Sequence, residues 1–157
     1  GNLYVQADTY SLSSEAGVCE IPKGGKSMKP VSSNADVVSP LGLMWDGKHI
    51  TLSGESYTSS TVETIYQMKE TASGGLTVVS KTALSSPCNN NTVLVAEPFI
   101  VGAKNTPANT QLGKAVVGAD AACSRFDFWA YPKGGAPFRG LNKTFSHIAG
   151  QSVSIAP

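Results

Sequence analysis

Apolar and polar residues in this chain come in short bursts, and no segment sustains the 3.6-residue apolar period of a helix. The bursts are rich in β-branched and aromatic residues and are bounded by turn formers, which is the signature of strands. They fall at Leu3–Val5, Ala16–Ile21, Leu41–Trp45, His49–Leu52, Thr61–Met68, Leu76–Ser80, Thr92–Ala96, Phe99–Ala103, Ala115–Val117, Arg125–Tyr131, Pro137–Leu141 and Val153–Ile155. The clearest hairpin joins Leu41–Trp45 to His49–Leu52, because Asp46-Gly47 can supply the positive φ angles of a two-residue type I′ turn. Glu97-Pro98 should make another tight connection, between Thr92–Ala96 and Phe99–Ala103. The run Phe126–Tyr131 is unusual in being apolar on both sides: Phe126, Phe128 and Ala130 alternate with Trp129 and Tyr131. A strand of that kind needs a covering layer on each face.

A turn motif recurs. Ile21-Pro22-Lys23-Gly24-Gly25 near one end of the chain matches Tyr131-Pro132-Lys133-Gly134-Gly135 near the other, and Glu70–Gly75 is a weaker version that keeps the paired glycines. Each follows a strand and precedes another. Spacing of this order lies close to the roughly 40–50 residues of a four-stranded blade repeat with extra loop.

With its Gly-Asn-Leu-Tyr-Val strand at Gly1–Val5, its strands ending in Pro-Lys-Gly-Gly and the apolar run Gly150–Pro157, the chain resembles the blades of β-propellers of the NHL and SMP-30 kind. The resemblance implies an all-β fold of about three four-stranded antiparallel blades, near residues 1–39, 40–86 and 87–157, forming one repeat domain. It also implies that Val153–Pro157 and Gly1–Val5 are two halves of one hairpin split between the chain ends. Closed propellers typically have 4–8 blades, so three would form a partial ring with apolar faces left in water. Two completions are open: self-association, giving six blades from two chains, or the remainder of a longer polypeptide.

Composition adjusts this picture. At 157 residues the chain suits one domain. Its formal charge of +1 gives no reason to expect nucleic acid as a partner, and no apolar stretch is long enough for a membrane-spanning helix. Charged residues make up only 15% while Gly, Ser, Thr and Asn abound, which points to a secreted protein, extracellular or periplasmic. Of Cys19, Cys88 and Cys123, two can pair in an oxidising compartment, with Cys88 and Cys123 the candidate bridge; three small buried hydrophobes are the alternative. Asn90 and Asn142 stand in glycosylation acceptor triplets.

Catalytic chemistry is hard to find. There is no nucleophile elbow, phosphate-binding loop or dinucleotide fingerprint, and no cofactor is expected. His49 and His147 read as solvated residues. Lys23, Lys26 and Lys29 read as a solvated loop. Asp36, Asp46, Glu97, Asp120 and Asp127 could line a central channel and hold a divalent cation, as the acidic and amide set of SMP-30-like lactonases does, although Asp46 is better explained by its turn. Two functions follow. The first is a non-catalytic binding or structural module that recognises a carbohydrate, a protein or another copy of itself through loops such as Ser53–Ser60 and Lys104–Leu112 and through exposed Trp or Tyr. The alternative is a metal-dependent propeller hydrolase.

Overall fold

The computed structural model describes residues 1–6, 17–37, 39–55, 63–88, 95–101, 115–120, 123 and 125–141, and among them every regular element is a strand. Eleven strands, β1 (Leu3–Gln6), β2 (Val18–Ile21), β3 (Lys29–Pro30), β4 (Ser39–Trp45), β5 (Ile50–Glu55), β6 (Glu63–Glu70), β7 (Leu76–Ala83), β8 (Val95–Val101), β9 (Ala115–Asp120), β10 (Arg125–Ala130) and β11 (Arg139–Leu141), form three sheets. The first sheet has the order β1-β2-β3, the middle one β4-β5-β6-β7 and the third β11-β10-β9-β8. Each is an antiparallel meander of consecutive strands, and none closes into a barrel. Val153–Pro157 lies outside the described residues, so the split hairpin is not seen.

The sheets stack, and the middle one shows why. Along β6 every residue from Glu63 to Met68 is buried, with no alternation between faces. Leu52, Tyr66 and Met68 point to one side, where they pack with Val18 and with Val31 and Val37 of the chain leaving the first sheet. Ile65 points to the other side, into a cluster with Val116, Trp129 and Tyr131 of the third sheet. The middle sheet is therefore covered on both faces by its neighbours. Each large apolar side chain so buried contributes about 1.5–3 kcal/mol.

Three sequence expectations need correcting. The doubly covered strand is β6 rather than Phe126–Tyr131: in β10, Trp129 and Asp127 are buried, while Phe126, Phe128 and Ala130 on the opposite face are only partly so. Glu97-Pro98 does not end a strand. β8 runs through it, with a register irregularity between Ala96 and Phe99, and a sheet-edge bulge is a place where proline's missing N–H is tolerated. In the Asp46-Gly47 hairpin, Trp45 pairs with Ile50 and the Asp46 N–H donates to the His49 carbonyl at 3.1 Å, which leaves Gly47-Lys48 as the two central residues. Gly47, the first of them, has φ 93°, the left-handed backbone that the first central position of a two-residue hairpin turn requires.

The paired glycines occupy one structural position in all three sheets, the turn that leads into the last strand: β2 to β3, β6 to β7 and β10 to β11. Gly134, at φ 65°, is buried, and a Cβ there would collide with the carbonyl of Ala83. Gly24, at φ 75°, is exposed with open space around it. Alanine at either position strains the backbone by about 1–2 kcal/mol, and only Gly134→Ala adds the collision. Chemical denaturation should therefore show Gly134→Ala losing clearly more stability than Gly24→Ala. Equal losses would mean that the turn conformation alone matters.

Candidate functional site

Three groupings of polar and aromatic side chains stand out. The first is an open pocket of about 320 Å³ lined by Asn2, Tyr4, Leu43, Met44, Trp45 and Ile50. It lies at one end of the seam between the first and middle sheets. Leu43 and Trp45 project from β4 on the same face as Leu52, towards the first sheet, and Tyr4 reaches across from β1. Trp45 is the last residue before the hairpin turn, and its side chain is left 62% exposed. The polar wall is braced rather than loose. Glu70 Oε1 accepts from Tyr4 Oη at 2.8 Å and from Asn2 Nδ2 at 3.4 Å, while Asn2 Oδ1 accepts the Lys23 N–H at 3.1 Å. Burial and the neighbouring Glu70 push the Tyr4 phenol up to about 12, so it stays a neutral donor.

The second grouping is a buried network joining the middle and third sheets. Asp46 Oδ1 accepts the backbone N–H groups of Lys48 and His49, both at 2.7 Å, which closes the hairpin turn. Its Oδ2 accepts from Tyr131 Oη at 2.6 Å. Tyr131 Oη in turn accepts from Gln67 Nε2 at 3.0 Å, and Gln67 Nε2 also donates to Thr82 Oγ1 at 2.7 Å. Thr82 Oγ1 completes the run by donating to the Pro132 carbonyl at 2.9 Å. Burial pushes Asp46 up, but the hydrogen bonds from Tyr131, His49 and Lys48 outweigh it and hold the carboxyl below its ordinary value. The same burial and the facing carboxylate push the Tyr131 phenol up. A charged acid with its hydrogen bonds satisfied here fastens two sheets together and presents nothing to a substrate.

The third grouping is an acid pair. Asp120 ends β9 and Asp127 lies on β10, both fully buried, with ligand atoms that lie within 4.8 Å of each other and of Cys123. Arg125 Nε approaches Asp127 Oδ1 at 2.8 Å, and Gly140 makes room for them, since a Cβ there would stand 2.6 Å from Asp127 Oδ1. Burial raises Asp127, Arg125 pulls it down and Asp120 raises it again, with a net upward shift. Cys123 is joined to Cys88 in a disulfide, so its sulfur is not available as a thiolate ligand. The guanidinium already supplies the positive charge that a cation would bring.

The other sequence candidates are dispersed. Asp36 offers its backbone carbonyl to Tyr66 Oη at 2.8 Å, and Glu97 lies on β8. His49 is half-buried, with Nδ1 3.3 Å from Asp46 Oδ2. Lys29 pairs with Glu20 at 3.1 Å, Lys23 and Lys26 are exposed, and Cys19 is a free thiol. Asn90, Asn142, His147 and Lys104–Leu112 lie outside the described residues, as does most of Ser53–Ser60. The Trp45 pocket was missed in the sequence because its walls come from β1 and the β4–β5 hairpin. The one local signal was a tryptophan set against a tight turn, where a large apolar side chain has little to cover it. Comparison with protein-family models, with curated proteins and with solved structures finds no match.

The two carboxyls titrate in opposite senses. Asp46, lowered on folding, contributes stability that is present at neutral pH and lost as pH falls below about 4, towards its folded-state value. Asp127, raised on folding, contributes in acid and loses that contribution as pH rises through its folded-state value. Asp46→Asn should therefore cost about 1.5–3 kcal/mol at pH 7, with the deficit shrinking in acid. Asp127→Asn should be best tolerated at pH 7 and compare worse with wild type as pH falls. Urea denaturation between pH 3 and 7 checks both, and parallel pH profiles for the two variants would contradict the assignment.

Proposed function

We propose that this protein is a non-catalytic binding module, built of stacked propeller-type sheets, which holds a carbohydrate in the Trp45 pocket. The observation that carries the reading is the large exposed indole of Trp45 beside a braced Tyr4 and Asn2, over the apolar Leu43, Met44 and Ile50. A pocket near 300 Å³ with a mostly apolar lining and a few fixed polar groups suits a small ligand. A sugar ring offers what the site lacks: an apolar C–H face for the indole and hydroxyls for Asn2 and Tyr4. The indole is also a costly group to leave in water without a partner.

The stacking supports the propeller reading at the level of arrangement. Three consecutive meanders lie face to face, the first strands β1, β4 and β8 run beside one another, and the last strands β3 and β7 are the far edges of their sheets. A secreted setting, extracellular or periplasmic, agrees with the Cys88–Cys123 bridge, since such bonds persist in oxidising compartments. The metal-dependent hydrolase gains little support. The one cluster of potential metal ligands among the described residues sets Asp120 and Asp127 beside Cys123, where Arg125 pairs with Asp127 and the sulfur is held in a disulfide.

The test is a titration of the full chain with a panel of soluble oligosaccharides, followed by calorimetry and by tryptophan fluorescence. Trp45→Ala should weaken binding by at least roughly 30-fold, the effect of removing an aromatic anchor worth about 2 kcal/mol or more, with an unchanged melting temperature. A panel without a binder, or a binder indifferent to Trp45→Ala, would sink the proposal. Stabilisation by calcium that Asp120→Asn abolishes would point to the hydrolase instead.

A further inference from the structure

The acid pair of the third sheet holds more negative charge than its surroundings answer. Asp120 and Asp127 are both fully buried, and Arg125 is the one cation that pairs with either among the described residues. Each acid has one oxygen fixed and one left over. Asp120 Oδ1 accepts the Cys123 N–H at 3.2 Å, and Asp127 Oδ1 stands 2.8 Å from Arg125 Nε. Asp120 Oδ2 and Asp127 Oδ2, by contrast, have no hydrogen-bond partner among the described residues. Buried carboxylate oxygens without donors forfeit their hydration and gain nothing in return. One oxygen aimed by an outer partner and the other bare is how ligating carboxylates are arranged around a metal.

Sulfur completes the set. Cys123 offers a ligand atom within 4.8 Å of those of both acids, and Cys88 is bonded to it. While that bond is closed, neither sulfur is a thiolate and neither can ligate. A dithiol reductant opens it: the two electrons and two protons of the dithiol pass to the two sulfurs, and the dithiol closes into its own disulfide. Cys88 is the more exposed of the pair, so attack falls on its sulfur and Cys123 is the leaving thiolate. Two sulfurs and two carboxylates then share one place. Around tetrahedral zinc, with bonds of about 2.0–2.3 Å, ligand atoms stand about 3.3–3.8 Å apart, so closing the set needs a contraction of the order of 1 Å. Thiolates in the set select zinc over calcium or magnesium. Ser86 Oγ, 3.4 Å from Cys123 Sγ, is placed to donate to a metal-bound sulfur.

We propose that Cys88, Cys123, Asp120 and Asp127 form a zinc site, shut by the Cys88–Cys123 disulfide and opened by its reduction. On binding, each thiol gives its proton to solvent and the ion takes both sulfurs. Bond and ion are then alternatives for one task, because each ties the chain leaving the middle sheet to the β9–β10 connection of the third. The inference is independent of the Trp45 ligand.

The experiment is a zinc titration of the full chain in competition with a chromophoric chelator, before and after treatment with a phosphine, which is oxidised to its oxide and leaves no thiol to compete for metal. The reduced chain should take up one zinc ion. The oxidised chain should bind at least roughly 100-fold more weakly, since losing two ligands exceeds the cost of losing an outer partner. Cobalt(II) in place of zinc should give only the reduced chain thiolate-to-metal charge-transfer absorption and the visible bands of tetrahedral coordination. Asp120→Asn and Asp127→Asn should each weaken zinc binding by at least roughly tenfold, a loss that binding through cysteines of an unfolded chain would not show. If reduction alone unfolds the protein, zinc should restore the circular dichroism of the oxidised form. Cys19→Ser and Trp45→Ala should bind zinc like the wild type. A reduced chain that binds no more tightly than the oxidised one overturns the proposal. So does a cobalt spectrum without thiolate absorption, zinc affinity indifferent to both acids or lost with Cys19→Ser, or a reduced chain that zinc leaves unfolded.

Discussion

The rest of the structure depends on the burial of β5 and β6 on both faces. A sheet whose central strands bury Thr51–Gly54 and Glu63–Met68 without alternation must have a layer on each side, and a chain of this length supplies both by making three meanders in succession. The first sheet fills one side through Val18, and the third fills the other through Val116 and Trp129. Glycine then sets how closely the layers approach. Gly75 and Gly134 let the backbone leaving one sheet lie directly on the turn of the next, where the Leu76 N–H donates to the Ser32 carbonyl and the Gly135 N–H to the Ala83 carbonyl, and where any side chain would hold the layers apart. Hydrophobic burial gives the stack its stability, and these backbone contacts give it register.

Polar burial is arranged around the same constraint. Asp46 would be costly inside a protein if left alone, but it closes its own hairpin with two backbone bonds and takes a third from Tyr131 of the next sheet. A buried carboxylate with its acceptors filled holds two layers at a fixed distance, where apolar contacts alone would allow sliding. The acid pair of the third sheet differs. Asp127 stands between Arg125 and Asp120, and its burial, with the second acid beside it, outweighs the guanidinium and shifts it towards the protonated form. The two sites show why acidic residues in this chain are poor guides to catalysis: their partners are its own turns and strands.

Much of the fold was legible because strands advertise themselves locally. β-Branched and aromatic runs located Leu41–Trp45, Leu76–Ser80 and Arg125–Tyr131, and the paired glycines marked the turns that the structure places at equivalent points of three sheets. The reading failed where a local rule met a tertiary one. Glu97-Pro98 looked like a break, yet an edge strand with a bulge absorbs it. The double burial belonged to Glu63–Met68, whose Glu, Thr and Gln concealed it: Gln67, for one, is satisfied by Thr82 of its own sheet and Tyr131 of the next, and not by water. The pocket was illegible for a simpler reason: Tyr4 and Trp45 meet only once the first two sheets stack. No spacing along the chain announces that encounter.

The most direct measurement of the central claim is native-state hydrogen exchange, resolved to single amides. If the layers are locked as described, the amides of Ile65–Met68 and the seam amides of Leu76 and Gly135 exchange only through global unfolding, with equal opening free energies. Seam amides that exchange as fast as that of the exposed Lys26, while β6 stays protected, would show that the sheets do not interlock and would contradict the account.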